Sequence, residues 1–395
     1  ARGRRQMTKK IFMIAGEVSG DVNASHLARA MRRLDPSLEF VGIGGGNMRD
    51  AGVRLLADST TWGSIGFFEG FVKGLVIYPV ARRVKAMFES EKPDLFIPVD
   101  YRVFNMRAAR IAKSLGIPVV YFFAPVSWFG SGGKRFQALA ETVDLSLLAL
   151  PMSLDDYKAA GARHEYIGHP LVDAAKPSMT REQAREFFGV EPDAPLVGLM
   201  PGSRGQEVKR LMPVFARAAE IVADRVPGAR FIAFRAAPQL DAVMRKHIRN
   251  APVDVASEKV YDFMNACDVL ALCSGTATHE AALMGKPMII SYKLHPVTAW
   301  IARRTVNPPM IGLPNIIAGE FVAPELVQEE CVPERVAEKI IEILSSREIR
   351  DRMTAQIKLV AGKLGSPGVL DRAARLAAGV AGIAGGQPGR ERTKL

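Results

Sequence analysis

The chain has 395 residues, 48% of them hydrophobic and 24% charged, which suits about two ordinary soluble domains. Its net charge of +12 calls for an anionic partner. With no zinc finger, aromatic RNA-recognition pair or basic zipper in the sequence, phosphorylated substrates and a lipid surface fit that charge better than nucleic acid does. Cys267, Cys273 and Cys331 make no CxxC pair and no metal-ligand spacing, a pattern of buried thiols in a reducing compartment.

In chain order, residues 1–7 are expected to be a flexible basic extension. Lys10–Ala15 is a short apolar run of strand type, followed by Gly16-Glu17-Val18-Ser19-Gly20-Asp21 and a helix to about Arg33. Phe67–Val80 is apolar but interrupted by Glu69 and Lys73, and Arg82, Arg83 and Lys85 follow it. It is too short to span a bilayer. Either it lies in a membrane interface with its cations reaching lipid phosphates, or it is a packed helix with a solvated end. Phe40–Ile43, Asp94–Val99, Val119–Phe123 and Leu145–Leu150 read as further buried strands. Asp173–Pro195, with three prolines, reads as an inter-domain passage. Leu196–Met200, Phe231–Phe234, Val269–Cys273 and Met288–Ser291 open a second strand series; beyond Pro333 the chain turns helical, and Gly379–Leu395 has the composition of a disordered tail.

This alternation predicts an α/β protein of two Rossmann-like, doubly wound domains facing across a cleft. The expected bounds are 8–172 and 173–345, with C-terminal helices over 346–378 and a tail over 379–395. Ligands of open parallel sheets bind beyond the carboxyl ends of the strands, so the loops there are the ones to inspect.

The loop Ala15–Asp21 has glycines for close approach, but Glu17 and Asp21 would repel a pyrophosphate and suit sugar hydroxyls better; capping of the helix is the plainer alternative. Pro201-Gly202-Ser203-Arg204-Gly205-Gln206-Glu207-Val208 sets an arginine and helix-start amides at a strand end, a combination that suits a diphosphate. Ser274-Gly275-Thr276-Ala277-Thr278-His279-Glu280 offers small hydroxyl residues and amides to phosphate oxygens, with Glu280 placed for ribose hydroxyls. Either loop is also compatible with plain helix capping. Asp100, at the end of the strand Leu95–Val99, is either a general base for a hydroxyl or a turn cap. Leu313-Pro314-Asn315 and Gln328-Glu329-Glu330 by themselves read as a turn and a solvated acidic patch, and His169 in Gly168-His169-Pro170 as a structural residue of the hinge. No Ser-His-Asp order, HExxH or GxxxxGK[ST] occurs, which removes hydrolase, zinc-protease and P-loop kinase readings.

Taken in this order from about Lys10 to Leu344, these motifs resemble the lipid-A-disaccharide synthase family, inverting glycosyltransferases of the GT-B class. The resemblance implies transfer from UDP-2,3-diacylglucosamine to 2,3-diacylglucosamine 1-phosphate, forming a β-1,6 bond and releasing UDP. It implies work at the cytoplasmic face of the inner membrane, against its anionic surface, with no metal or other cofactor, and it leaves a homodimer open. It assigns catalysis to Asp100 as base, with Glu17 as the other candidate. It assigns substrate binding to Ser19, Asn105, Ser203, Arg204, Glu207, Ser274, Gly275, Thr276, Glu280, Asn315 and Glu329. Two departures fall on the acceptor side. Tyr101-Arg102-Val103-Phe104-Asn105 stands where the family carries Ala-Pro-Asp-Phe-Asn, and Gly130 stands in place of a tryptophan in an aromatic segment. They keep open a relative with an altered acceptor, a UDP-sugar epimerase, or a UDP-sugar-binding membrane protein without transfer activity.

Overall fold

A computed structural model describes residues 8–59, 77–100, 102–127, 133–295, 298–300, 309–383 and 385–386. Gly130, residues 67–76 of the expected interfacial segment and residues 387–395 of the expected tail lie outside them. The chain divides into two units, Ala1–Pro170 with Gly365–Leu395, and Leu171–Leu364.

The first unit runs β1 (Lys10–Ala15), α1 (Val18–Leu34), β2 (Glu39–Gly44), α2 (Gly46–Asp50), β3 (Arg54–Asp58), α3 (Ile77–Glu91), β4 (Leu95–Val99), α4 (Arg102–Ser114), β5 (Val120–Phe122), α5 (Gly133–Thr142), β6 (Leu145–Leu148), α6 (Leu154–Ala159) and β7 (His164–Tyr166). Its seven parallel strands are ordered β3-β2-β1-β4-β5-β6-β7. Ile11 through Ala15 are fully buried, as a strand covered by helices on both faces requires. Phe88 of α3 meets Phe12 of β1 and Phe96 of β4 edge to face, with ring centroids 4.9 and 5.0 Å apart, and this fixes α3 on the sheet.

The second unit contains α7 (Leu171–Ala174), α8 (Arg181–Phe187), β8 (Leu196–Met200), α9 (Gly205–Arg225), β9 (Arg230–Phe234), α10 (Asp241–Ile248), β10 (Val253–Ala256), α11 (Val260–Ala266), β11 (Val269–Cys273), α12 (Thr276–Leu283), β12 (Met288–Tyr292), α13 (Leu313–Ala318), β13 (Glu325–Val327), α14 (Pro333–Ser345) and α15 (Arg347–Gly362). Its six strands, also parallel, are ordered β10-β9-β8-β11-β12-β13. The chain then returns to the first unit as α16 (Val369–Val380), which packs on α1 with an Arg33–Asp371 ion pair at 2.7 Å. Both sheets reverse their winding direction once, between β1 and β4 and between β8 and β11. Loops at the carboxyl ends of those strand pairs frame the crevice where such sheets take ligands.

Four sequence expectations change. The four strands without a clear apolar run, β3, β7, β10 and β13, are the four sheet edges, and their residues are mostly half-exposed. The segment 173–195 is packed into the second unit: Asp262 accepts from Ser178 and Met179 amides at 2.7 Å each, and the buried Arg185 donates to the carbonyls of Glu191, Ala194 and Ala266. Residues 346–378 are shared out, with α15 in the second unit and α16 in the first. The expected tail begins in order, since Gly379 and Val380 are helical and Ile383 is only 6% exposed. All three cysteines are free and buried, and burial raises the Cys267 and Cys273 thiols to about 12.

Candidate active site

At the first switch point, β1 and β4 run in register to Ala15 and Val99, so Gly16-Glu17 and Asp100 leave adjacent strand ends. Gly20 in the first turn of α1 packs against both strand ends: a Cβ there would be in ordinary contact, 3.5 Å from the Ala15 Cβ and 3.6 Å from the Val99 carbonyl. Glu17 caps the start of α1, and its side chain, like those of Ser19 and Asp100, is exposed. Asp100 has φ +51°, a left-handed backbone that Asp and Asn tolerate better than most residues. Three groups hold it there. Its N–H donates to Phe122 at 3.2 Å, and its carbonyl accepts from the Tyr121 hydroxyl at 2.8 Å and from Asn105 Nδ2 at 2.7 Å. Asn105 also donates to the Val99 carbonyl at 3.0 Å.

Asp21 is turned away from this mouth. It is 2% exposed, and its carboxylate accepts from the amides of Gly45 (2.7 Å), Asn47 (3.0 Å) and Met48 (3.1 Å) at the start of α2. The anion-binding amides after β2 are therefore occupied by the protein itself.

At the second switch point, β8 and β11 pair through Leu272 and Met200. The loop after β8 is folded around Glu207, whose Oε2 accepts from the Ser203 and Arg204 amides, both at 3.1 Å, and whose Oε1 meets the Arg204 guanidinium at 3.1 Å. Gly202, at φ +120°, gives this carboxylate its room: a Cβ there would lie 2.5 Å from Glu207 Oε2. Arg204 is 78% exposed, so one contact anchors the guanidinium and most of its five donors face solvent. After β11, Ser274 ties its hydroxyl to the Ile311 carbonyl at 3.0 Å, while Gly275 and Thr276 at the head of α12 are exposed. Helix geometry leaves the first amides of α9 and α12 without acceptors inside their helices, both beside this crevice. Glu280, one turn into α12, takes a hydrogen bond from Tyr261 at 3.1 Å. Burial raises its carboxyl above the ordinary value, and the Tyr261 hydroxyl opposes that rise.

The second unit thus offers donors for an anion, with Glu207 and Glu280 beside them, and the first offers the carboxylates of Glu17 and Asp100 at its switch point. A family model described as lipid-A-disaccharide synthetase matches residues 11–367, a span that includes both switch points. The chain belongs to the lipid-A-disaccharide synthase family. The lipid-A-disaccharide synthase of Geobacter metallireducens is 40% identical over 368 residues, covering 93% of this chain and 96% of that protein. Among solved structures, S. aureus MnaA with UDP aligns at TM-score 0.63 and 13% identity, covering 97% of this chain and 100% of that one. A glycosyltransferase from Rickettsia africae aligns at TM-score 0.56 and 13% identity, covering 93% and 96%. Identities this low speak for the fold, and it is GT-B. As a lipid-A-disaccharide synthase family member the chain is a hexosyltransferase.

Seen as a synthase of this family, the chain does not place all the residues expected to bind substrate at a ligand surface. Asn105 is fully buried and acts on Asp100 through the backbone. Asn315 is fully buried too: its Nδ2 donates to Ala323 and Glu325, and its Oδ1 accepts from the amides of Val322 and Ala323. With both ends engaged it locks the loop before β13. Glu207 shapes the Arg204 loop, and the Ser274 hydroxyl joins that strand end to Ile311. Glu329 is exposed in a turn after the edge strand β13, two strands from β11. His169 lies edge-on to Phe123, with ring centroids 5.4 Å apart, and burial lowers its pKa to about 4, which suits a neutral structural imidazole. Tyr121, Tyr261 and Glu325 were missed by sequence reasoning; no short motif marks them, because each works through a partner distant in sequence.

Proposed function

We propose that this hexosyltransferase moves a 2,3-diacylglucosaminyl unit from UDP to the 6-hydroxyl of 2,3-diacylglucosamine 1-phosphate. The observation that carries the reading is the division of labour between the two switch points: exposed carboxylates on a clamped loop in one unit, and Arg204 with two helix starts in the other. Asp100 takes the proton of the attacking hydroxyl. The oxygen forms its bond to the anomeric carbon from the face opposite the UDP, and the bond to the diphosphate breaks with its electron pair leaving on UDP. Arg204 and the first amides of α9 and α12 receive the developing charge. Glu280, half-buried and held by Tyr261, is suited to a ribose hydroxyl pair, and Glu17 and Ser19 to hydroxyls of the acceptor.

Attachment at the cytoplasmic face of an anionic membrane is part of the same reading. No helix among the described residues is long and apolar enough to cross a bilayer. Arg82, Arg83 and Lys85 are exposed along α3, placed to meet lipid phosphates from one side. Incubation with both diacylglucosamine substrates and mass detection of the disaccharide phosphate tests the reaction. Consumption of donor without acceptor would identify an epimerase instead.

A further inference from the structure

A cavity of about 280 Å3 lies in the first unit between α4, α5 and the loop after β5. Met106, Pro125, Val126, Phe136, Ala138 and Leu139 line it, with Phe136 and Leu139 each 3% exposed. Its wall is built rather than incidental. The Tyr157 hydroxyl donates to the Pro125 carbonyl at 2.8 Å, the Ser127 amide donates to Ser153 Oγ at 2.7 Å, and the Phe136 ring meets Tyr157 at 4.9 Å. Arg110, Lys134 and Arg135 complete the lining at its rim. All three are exposed, and none has a carboxylate partner among the described residues.

An apolar slot with an uncompensated basic rim fits an acyl chain ending in an anionic head. For scale, an engineered cavity of about 150 Å3 already admits benzene. Its position identifies which amphiphile. Met106 follows Asn105, the clamp on Asp100, and the Asp100 amide is bonded to Phe122 at the end of β5, whose loop walls the cavity. Along α4, Arg110 stands roughly 7.5 Å beyond Asn105 at the helical rise. We infer that this cavity takes an acyl chain of the phosphorylated acceptor, with Arg110, Lys134 and Arg135 at its phosphate. The inference rests on the acceptor chemistry proposed above.

Calorimetry with monomeric dodecyl phosphate tests the slot without any need for turnover. Wild type should bind it, with affinity rising roughly fourfold per methylene from octyl phosphate until the cavity is full. Ala138→Phe should weaken binding at least tenfold. Replacing exposed Arg110 and Arg135 by Ser should do the same for dodecyl phosphate and leave the neutral dodecyl glucoside unaffected; a melting curve confirms that each variant is folded. In steady-state transfer, Ala138→Phe should raise KM for the acceptor about tenfold and leave KM for the UDP-sugar unchanged. Unchanged dodecyl phosphate binding in folded Ala138→Phe overturns the slot. Lost binding with an unchanged acceptor KM overturns the acceptor and points to a membrane phospholipid. A wild type that forms no disaccharide overturns the acceptor assignment together with the reaction it rests on, and the calorimetric arm then still decides whether the slot exists.

Discussion

Replacing Asp100 by Asn removes a base while keeping the size of the side chain and the backbone bonds described above. At φ +51° the backbone suits Asn as well as Asp, whereas Ala there would add strain of about 1–2 kcal/mol. The three hydrogen bonds that fix the residue all involve its backbone, so they survive the substitution. Melting temperatures should therefore rank Asn close to Asp, with Ala lower. A positioned general base is worth about 10²–10⁴ in rate, or roughly 2.7–5.4 kcal/mol of barrier. Turnover followed by UDP release should fall by a factor in that range, while KM for the donor stays within about twofold, because Arg204 and the α12 start lie on the other sheet. Asn105→Ala should show a milder form of the same loss together with lower stability, since it removes a donor from each of the Val99 and Asp100 carbonyls and leaves the Asp100 carbonyl with the Tyr121 hydroxyl. Turnover within threefold of wild type in folded Asp100→Asn would refute the assignment, and a dead Glu17→Gln in the same assay would transfer the role to Glu17.

Three further outcomes are expected. Arg204→Ala loses a charge-assisted contact of about 1.5–3 kcal/mol, so calorimetric UDP affinity should drop roughly 10- to 150-fold; unchanged affinity removes Arg204 from the site. Exchanging Arg82, Arg83 and Lys85 for Ser should reduce sedimentation with anionic vesicles, most at low salt, and equal sedimentation of variant and wild type would end the interfacial reading of α3. For His169, the folded pKa of about 4 lies below the ordinary 6.5, so between these values the unfolded chain binds the extra proton. Stability is fully present above pH 6.5 and is lost as pH falls toward 4, by at most about 3 kcal/mol. His169→Phe should flatten the melting-temperature profile in that window, and an unaltered profile would assign the acid sensitivity to other groups.

What could be read from the sequence follows burial. The central strands are buried throughout and read as continuous apolar runs, so their positions were legible to within a residue or two, and both switch points with them. The edge strands are mostly half-exposed over three to five residues and give no such run. Glycine loops at strand ends were legible because their function is local: Gly202 makes space for a carboxylate five residues on. Asn315 and Asn105 show the opposite case, expected at a substrate and found buried among partners within the fold. A buried amide that satisfies three backbone groups and a carboxylate, as Asn315 does, and an amide that binds a sugar look alike in one dimension, and only the distance to Val322, Ala323 and Glu325 separates them.

The two units share a strand order, yet Asp21 makes them unequal in stoichiometry. Its carboxylate is already seated on the Gly45, Asn47 and Met48 amides, and Glu17 stands at the neighbouring strand end, so the anion-binding amides after β2 are not open to a nucleotide. Titration should end at one UDP per chain, and UDP accumulating as product should compete with the donor alone. On the reading proposed above, Asp21 thereby keeps product inhibition away from the acceptor.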